Sequence, residues 1–371
     1  PTARSGHSFC IVTVEMGKDE APRQFRYLFG GVKARSNPAG PCNELYRFDI
    51  DNMLWENLGI VGSVSARWQH TATVWKNSMI LFGGTSNKTN TRFFSDVHVL
   101  DTATDSWKEM GSGPKWPNCP VPRASHASCI VDGMSDIAKF YVFGGYGGRK
   151  GSRRDFDDLS VLDLATEQWR IIEGNGDIPP RRSGHQLCAI PSYLYVCGGW
   201  NAGDQFNDVY LFDLNQECWS RLAMPWTRKR WKHSAVVALG VPHYKLFVFG
   251  GNSGDLEEPE EEMGTYLNEI MMLDTGSNTW SKPTVIGKFP EPRADAPLAI
   301  DSTTQKVYCF GGWANKWLSD FVICDLAEVA GPPYHIVSMS PIIGPTTGGT
   351  SITIHGIGFE EFVGQKAKVL V

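Results

Sequence analysis

Apolar residues in this chain come in short runs of about five, the length of ordinary strands, separated by Gly, Asp, Asn and Pro. One arrangement recurs six times. An apolar pair precedes a double glycine at Leu28-Phe29-Gly30-Gly31, Leu81-Phe82-Gly83-Gly84, Val142-Phe143-Gly144-Gly145, Val196-Cys197-Gly198-Gly199, Val248-Phe249-Gly250-Gly251 and Cys309-Phe310-Gly311-Gly312. After each, a short apolar alternation ends in an aspartate: Asp49, Asp101, Asp163, Asp213, Asp274 and Asp325. In five repeats a tryptophan stands six residues further on, at Trp55, Trp107, Trp169, Trp219 and Trp280. Ahead of each double glycine lies another apolar strand introduced by an arginine. In five repeats a histidine follows that arginine three residues later: Arg4/His7, Arg67/His70, Arg123/His126, Arg182/His185 and Arg230/His233, whereas Arg293 is followed by Ala296. Each repeat therefore predicts four short strands joined by turns.

A period of about 50 residues, sustained over positions 1 to 326, resembles the kelch type of propeller blade. The resemblance implies an all-β fold, a six-bladed kelch β-propeller. Physical argument supports it. A four-stranded blade cannot bury both faces alone, so blades stack around an axis and protect one another's edges. A double glycine lets a neighbouring backbone or indole come close, and the tryptophan supplies apolar surface between blades. These recurrent residues have a sufficient structural role, and none points to catalysis.

The sixth repeat departs from the pattern. Six residues past Asp325 lies Gly331, followed by Pro332 and Pro333, so no tryptophan-bearing strand fits there. Kelch rings are usually closed by a strand from the other terminus, yet the first repeat begins at once with Arg4. The expectation is a closing strand, with its own tryptophan, upstream of Pro1, and a ring that residues 1–330 do not close alone; an upstream seventh blade also fits the pattern. Residues 331–333 read as a stiff linker. Beyond it come Gly344-Pro345, Gly348-Gly349-Thr350, the alternating Ser351-Ile352-Thr353-Ile354-His355 and Gly356-Ile357-Gly358-Phe359. Residues 334–371 thereby resemble the N-terminal part of an IPT/TIG domain, the start of an immunoglobulin-like β-sandwich.

Composition narrows the function. Thirteen Trp together with 39 Gly suit an all-β fold, in which glycines serve turns and close approaches. No apolar run is long enough to cross a bilayer, so no membrane segment is expected. A formal charge of −5 gives no electrostatic reason to expect nucleic acid. The nine cysteines form no CxxC, and six of them (Cys10, Cys129, Cys188, Cys197, Cys309, Cys324) fall in apolar strands, which reads as buried thiols in a reducing, intracellular, cytoplasmic setting.

Binding residues are expected on one face. In an up-and-down meander the loops after the second and fourth strands emerge together, and here they are long and varied: 32–44, 85–95, 146–157 and 252–268 after double glycines, 110–122 and 171–180 between blades. Arg4, Arg67, Arg123, Arg182, Arg230 and Arg293 open the innermost strands and should ring the channel mouth on that face. An open ring of guanidinium groups would suit an acidic or phosphorylated peptide; the alternative is pairing with backbone carbonyls or an aspartate of the same or adjacent blade. The five histidines, one per blade, lie too far apart to share a metal, and packing is their expected role. Three charged segments belong on the same face: Arg149, Lys150, Arg153 and Arg154; the run from Trp226 to His233; and the acidic loop 255–262 with Glu258 and Glu261. Trp226, Trp231, Trp200, Trp313 and Trp317 are candidate anchors, since Trp and Arg dominate interface energetics.

The kelch resemblance implies a non-catalytic protein-interaction scaffold in a larger protein or assembly, without cofactor or metal. Its expected partners are other proteins, acidic peptide segments or cytoskeletal and ciliary components. Two alternatives stand beside it. One is the substrate-recognition propeller of a ubiquitin-ligase adaptor, a class in which arginines near this mouth bind acidic degrons. The other is a galactose-oxidase-like copper enzyme, which also joins a kelch-like propeller to an immunoglobulin-like domain. The sequence offers no His/Tyr cluster for copper, and no Glu-x3-Asp-x3-His pattern of the iron-dependent specifier proteins.

Overall fold

The computed structural model describes residues 1–15, 21–34, 40–59, 62, 64–86, 92–112, 116–132, 138–149, 151–223, 226, 228–240, 243–254 and 266–327, and the backbone of 265, 335–340 and 353–357. All named elements are strands. Five blades have the four antiparallel strands that the repeat predicts. Blade I comprises Ser8–Val14, Arg23–Phe29, Leu45–Asp49 and Leu54–Gly59, paired in chain order. Blade II follows with Thr71–Trp75, Ser78–Phe82, Val97–Asp101 and Ser106–Gly111. Blade III is Ala127–Asp132, Ala138–Phe143, Leu159–Asp163 and Gln168–Ile172. Blade IV is Gln186–Ile190, Tyr193–Asn201, Asp204–Asp213 and Cys218–Arg221, and blade V is Ser234–Ala238, Lys245–Phe249, Ile270–Asp274 and Thr279–Ser281. Blade VI has three strands, Leu298–Ile300, Lys306–Trp313 and Trp317–Asp325.

The conserved spacing from aspartate to tryptophan within the chain has a local cause. Asp49 Oδ1 accepts from the amides of Asp51 and Asn52, and Asp163, Asp213 and Asp274 do the same two and three residues on. The fourth residue of each turn then takes a left-handed backbone, as at Met53, Asp105, Glu167, Glu217 and Asn278. The tryptophan thereby lands opposite the residue before the aspartate: Phe48↔Trp55, Leu100↔Trp107, Leu162↔Trp169, Phe212↔Trp219 and Leu273↔Trp280.

Between blades, four of the five tryptophans reach back to the aromatic residue before the preceding double glycine. Trp107 packs on Phe29 with centroids 5.1 Å apart, Trp169 on Phe82 at 5.6 Å and Trp219 on Phe143 at 5.3 Å. Trp55 of blade I packs on Phe310 of blade VI at 5.3 Å, so the last blade is seated against the first. The double glycine is required by the same junction. A Cβ on Gly30 (φ +68°) would lie 2.8 Å from the Arg67 carbonyl, and one on Gly311 (φ +65°) 2.7 Å from the Arg4 carbonyl.

The ring closes at its axis. Gln69 donates its amide to the carbonyl of Gly6, Ser125 to Gln69, Gly184 to Ser125, Lys232 to Gly184, Asp295 to Lys232, and Gly6 to Asp295, at 2.7 to 3.1 Å. All six residues have φ between 51° and 63°. The six blades of the described residues thus share one closed ring of backbone hydrogen bonds at the axis. Beyond the propeller, His335–Ser340 and Thr353–Ile357 pair as antiparallel strands; the rest of the IPT/TIG landmarks lie outside the described residues.

Candidate protein-interaction face

The six arginines stand just ahead of the innermost strands, and all are fully buried. Each fork is satisfied within its own blade. Arg67 Nη1 and Nη2 donate to the Asp96 carboxylate at 2.7 and 2.8 Å, Arg123 to Asp158 at 2.8 Å twice, Arg182 to Asp208 at 2.6 and 3.1 Å, and Arg293 to Asp320 at 2.8 and 2.6 Å. Arg4 bonds Glu44 at 3.0 Å and Arg230 bonds Glu269. Every Nη1 also donates to the carbonyl of the first glycine of the pair, at Gly30, Gly83, Gly144, Gly198, Gly250 and Gly311. Aromatic rings cover several guanidinium faces: Phe94 over Arg67 at 4.1 Å, Phe156 over Arg123 at 4.3 Å and Phe206 over Arg182 at 4.4 Å. Arg4, Arg67, Arg123, Arg182, Arg230 and Arg293 therefore do not form the open cationic ring; they tie the loop after each double glycine to the hub.

The pairing carboxylates carry a signal in the sequence. Glu44, Asp96, Asp158, Asp208, Glu269 and Asp320 each stand five residues before the turn aspartate of their repeat. Burial raises the Glu44 carboxyl, but hydrogen bonds from Lys33 and Arg4 outweigh it and hold the pKa below the ordinary value. Burial likewise opposes ionisation of Asp96, and the bonds from Arg67 and His98 overcome it. The Arg4–Glu44 and Arg67–Asp96 pairs therefore stay charged at neutral pH.

The histidines are packing residues. Each ring lies edge-on to the aromatic of the preceding blade: His70 to Phe29 at 5.5 Å, His126 to Phe82 at 5.1 Å, His185 to Phe143 at 5.3 Å and His7 to Phe310 at 5.9 Å. Burial, reinforced by the nearby arginine, drives their pKa far down, to about 3 at His70 and His185, so they are neutral. Among the described residues no group of three or more His, Cys, Asp or Glu is placed to hold a metal ion.

Trp226 is corrected from a surface anchor to a core residue. Blade IV has Cys197 where other repeats have Phe, and Trp226 occupies that aromatic position. It is 1% exposed, meets His233 at 5.1 Å and stacks on Trp280 at 5.0 Å. The other proposed tryptophans are half-buried at the loop-rich mouth. Trp200 and Trp231 lie 5.9 Å apart, and Trp313 and Trp317 meet at 4.7 Å across a tight hairpin. Trp68 joins them, a residue the sequence did not single out. Lys232 of the axial ring sets its Nζ 4.9 Å from the Trp231 ring and 5.8 Å from the Trp68 ring, and pairs with Asp295 at 2.6 Å. The hub thus ends in a floor of indoles around one ion pair.

Basic residues flank this floor. Arg149, Arg154, Arg228 and Lys229 are exposed. Arg153 turns back and lays its guanidinium 5.5 Å above Phe93 of blade II, which in turn meets Tyr146 at 5.8 Å. Asp155 is buried between blades III and IV; burial pushes its carboxyl up, against a hydrogen bond from Ser183. Lys150, Glu258 and Glu261 lie outside the described residues.

A closed hub, six repeats of one arginine–carboxylate tie and an interblade tryptophan define a kelch propeller. The profile of the KLHDC2/KLHL20/DRC7 Kelch-repeats domain matches residues 1–137 and 134–356, and the chain belongs to that family, whose members are generally non-catalytic interaction domains. Among known proteins it is similar to the dynein alpha chain of the flagellar outer arm of Chlamydomonas reinhardtii, 29% identical over 97% of this chain and 8% of that protein. Human Kelch domain-containing protein 3 is 29% identical over 66% of this chain and 61% of its own length. Mouse host cell factor 1 is 27% identical over 62% of this chain and 12% of its length. The chain thus spans less than two thirds of each of these relatives. No helix among the described residues is long and apolar enough to cross a membrane.

Proposed function

We propose that the chain is a non-catalytic protein-binding platform within a longer polypeptide of the flagellar outer-arm dynein kind, and that the loop-rich mouth is its working face. The observation that carries this reading is the indole floor: Trp68, Trp200, Trp231, Trp313 and Trp317 half-buried on a rigid hub, with Arg149, Arg154, Arg228 and Lys229 exposed beside them. Half-covered indoles offer large contact area at low entropic cost. The cationic rim would steer an acidic partner segment and fix its orientation. The likeness to a flagellar dynein chain supports a ciliary, cytoskeletal setting, and the C-terminal segment is read as the opening of an IPT/TIG module.

The test combines charge reversal with a truncated indole. Arg149→Glu with Arg154→Glu, and separately Trp231→Ala, should reduce cross-links between this face and its partners in the native assembly at least tenfold, with the melting temperature within about 2 °C of the parent. Unchanged cross-linking in both variants overturns the assignment of the face.

A further inference from the structure

A short hairpin of blade III, Tyr146–Gly147 paired with Arg154–Asp155, carries its turn out at the rim of the mouth. The tip of that turn stands clear of the blades. Gly151 takes φ +92°, and a Cβ there would meet nothing within 4 Å. Ser152 beside it is exposed. Its amide and its hydroxyl both donate to the Arg149 carbonyl, at 3.0 and 3.3 Å, so these bonds stay within the turn. Arg153 leans back over Phe93 of blade II at 5.5 Å, and Arg154 lies 5.8 Å from the Phe156 ring. A hydroxyl is thereby set among three arginines on a bare loop tip, the kind of place that an enzyme's cleft can enclose.

Basic residues stand three and two positions ahead of this hydroxyl, at Arg149 and Lys150, and no other serine or threonine of the chain has both. Three other serines near bases are withheld by the fold. Ser95, three residues after Arg92, Ser183, which follows Arg181 and Arg182, and Ser234, two after Lys232, are all buried. Ser319, three after Lys316, is exposed but lies within the strand Trp317–Asp325. Enzymes that modify hydroxyls on proteins select by charge pattern as well as by access. Ser152 alone joins the full basic pattern to an open turn.

We propose that Ser152 is a phosphorylation site, taken by a basophilic protein kinase whose acidic cleft reads Arg149, and that the phosphate switches the charge of the rim. In the transfer, Ser152 Oγ attacks the γ-phosphorus of ATP and the bond to the β–γ bridging oxygen breaks. ADP leaves, and the hydroxyl proton passes to the kinase's base. The phosphate carries about −1.5 to −2 charge at pH 7 and cancels roughly half of the four positive charges on residues 149–154. Its oxygens also accept charge-assisted hydrogen bonds from the adjacent guanidinium groups, which takes those donors away from a partner's carboxylates. The fold loses little, because the hydroxyl's bond is exposed and made within the turn. The modification stands on the turn alone, whereas its effect on binding rests on the reading of the mouth as the working face.

The test has two stages. The folded chain is incubated with ATP and a kinase selective for basic residues ahead of serine, and the phosphate is located by peptide mass spectrometry. Ser152 should be modified at least tenfold faster than any other position, and Arg149→Ala should slow it at least tenfold. A faster site elsewhere, or an Arg149→Ala variant with the parent's rate, overturns the site. In the native assembly, full phosphorylation of Ser152 should then lower cross-links between the mouth and its partners at least threefold, and Ser152→Ala should remove that response to the kinase. If the phosphate leaves the cross-links unchanged while Arg149→Glu with Arg154→Glu still reduces them, the switch is overturned and the binding face stands. If neither the phosphate nor the charge reversal changes them, the switch and the face fall together.

Discussion

Moving the solution from pH 7.5 to 5.5 protonates a histidine in an unfolded chain, whose ordinary pKa is about 6.5, but leaves His7, His70, His126, His185 and His233 neutral in the propeller. All five are held down first by burial, then by the guanidinium of Arg4, Arg67, Arg123, Arg182 or Arg230. The folded pKa is depressed, so the unfolded state binds more protons below pH 6.5. Stability is therefore complete above that value and is lost as pH falls toward about 3, the level reached at His70 and His185. Between pH 7.5 and 5.5 each histidine removes about 1.4 kcal/mol, and the five together about 7 kcal/mol. That is comparable to the whole stability of many domains. The lowered carboxylates, Glu44, Asp96 and Glu269, begin to contribute only below about pH 4.3, the ordinary carboxyl range, so they add little within this window, where the Pro1 α-amino group, also lowered by burial, adds at most one further proton to the five imidazoles. Urea unfolding followed by tryptophan fluorescence at the two pH values measures the loss. The variant His185→Gln should reduce the pH-dependent part by one proton's worth, about 1.4 kcal/mol. A parent whose stability falls by no more than a single histidine's share, or a variant with the parent's slope, would refute the reasoning.

Three further outcomes follow from the same contacts. Arg182→Met should destabilise by about 3–5 kcal/mol in denaturant titrations, because it leaves the buried Asp208 carboxylate unpaired; a loss below about 1 kcal/mol would contradict the buried-tie account. Trp226→Ala should cost about 3–5 kcal/mol as a core truncation. Adding Cys197→Phe to that variant should recover part of the loss, and no recovery would show that Trp226 does not stand in for the absent phenylalanine. Asp155→Asn should raise the melting temperature at pH 7.5, since burial disfavours the ionised carboxylate there; a lower value would mean that the Ser183 hydrogen bond outweighs the burial penalty.

The architecture was legible because each blade repeats one local solution. The turn aspartate, the tryptophan opposite its neighbour and the double glycine all act within or just beyond one blade, and their spacing is visible in the chain. The arginines were legible as a ring but not as a buried one. Their partners were equally regular, from Glu44 to Asp320, yet stand in or just before the third strand of the blade, so only the pairing geometry connects them. Trp226 misled for a physical reason: next to Arg228, Lys229 and Arg230 it reads as a surface residue, while its true cue was the cysteine at position 197, twenty-nine residues away. The indole floor was partly foreseen through Trp200 and Trp231, but Lys232 and Trp68 come together only because the hub brings opposite blades to the axis.

The axial cycle has a consequence for the number of blades. Its six amide-to-carbonyl links run head to tail, and each link turns the chain by a sixth of a circle. Such a loop has no first or last member and no spare donor at which another unit could attach. Duplicating one repeat is therefore expected to break at least one of these links, so a change in repeat number would be felt by all six described blades through the axle they share.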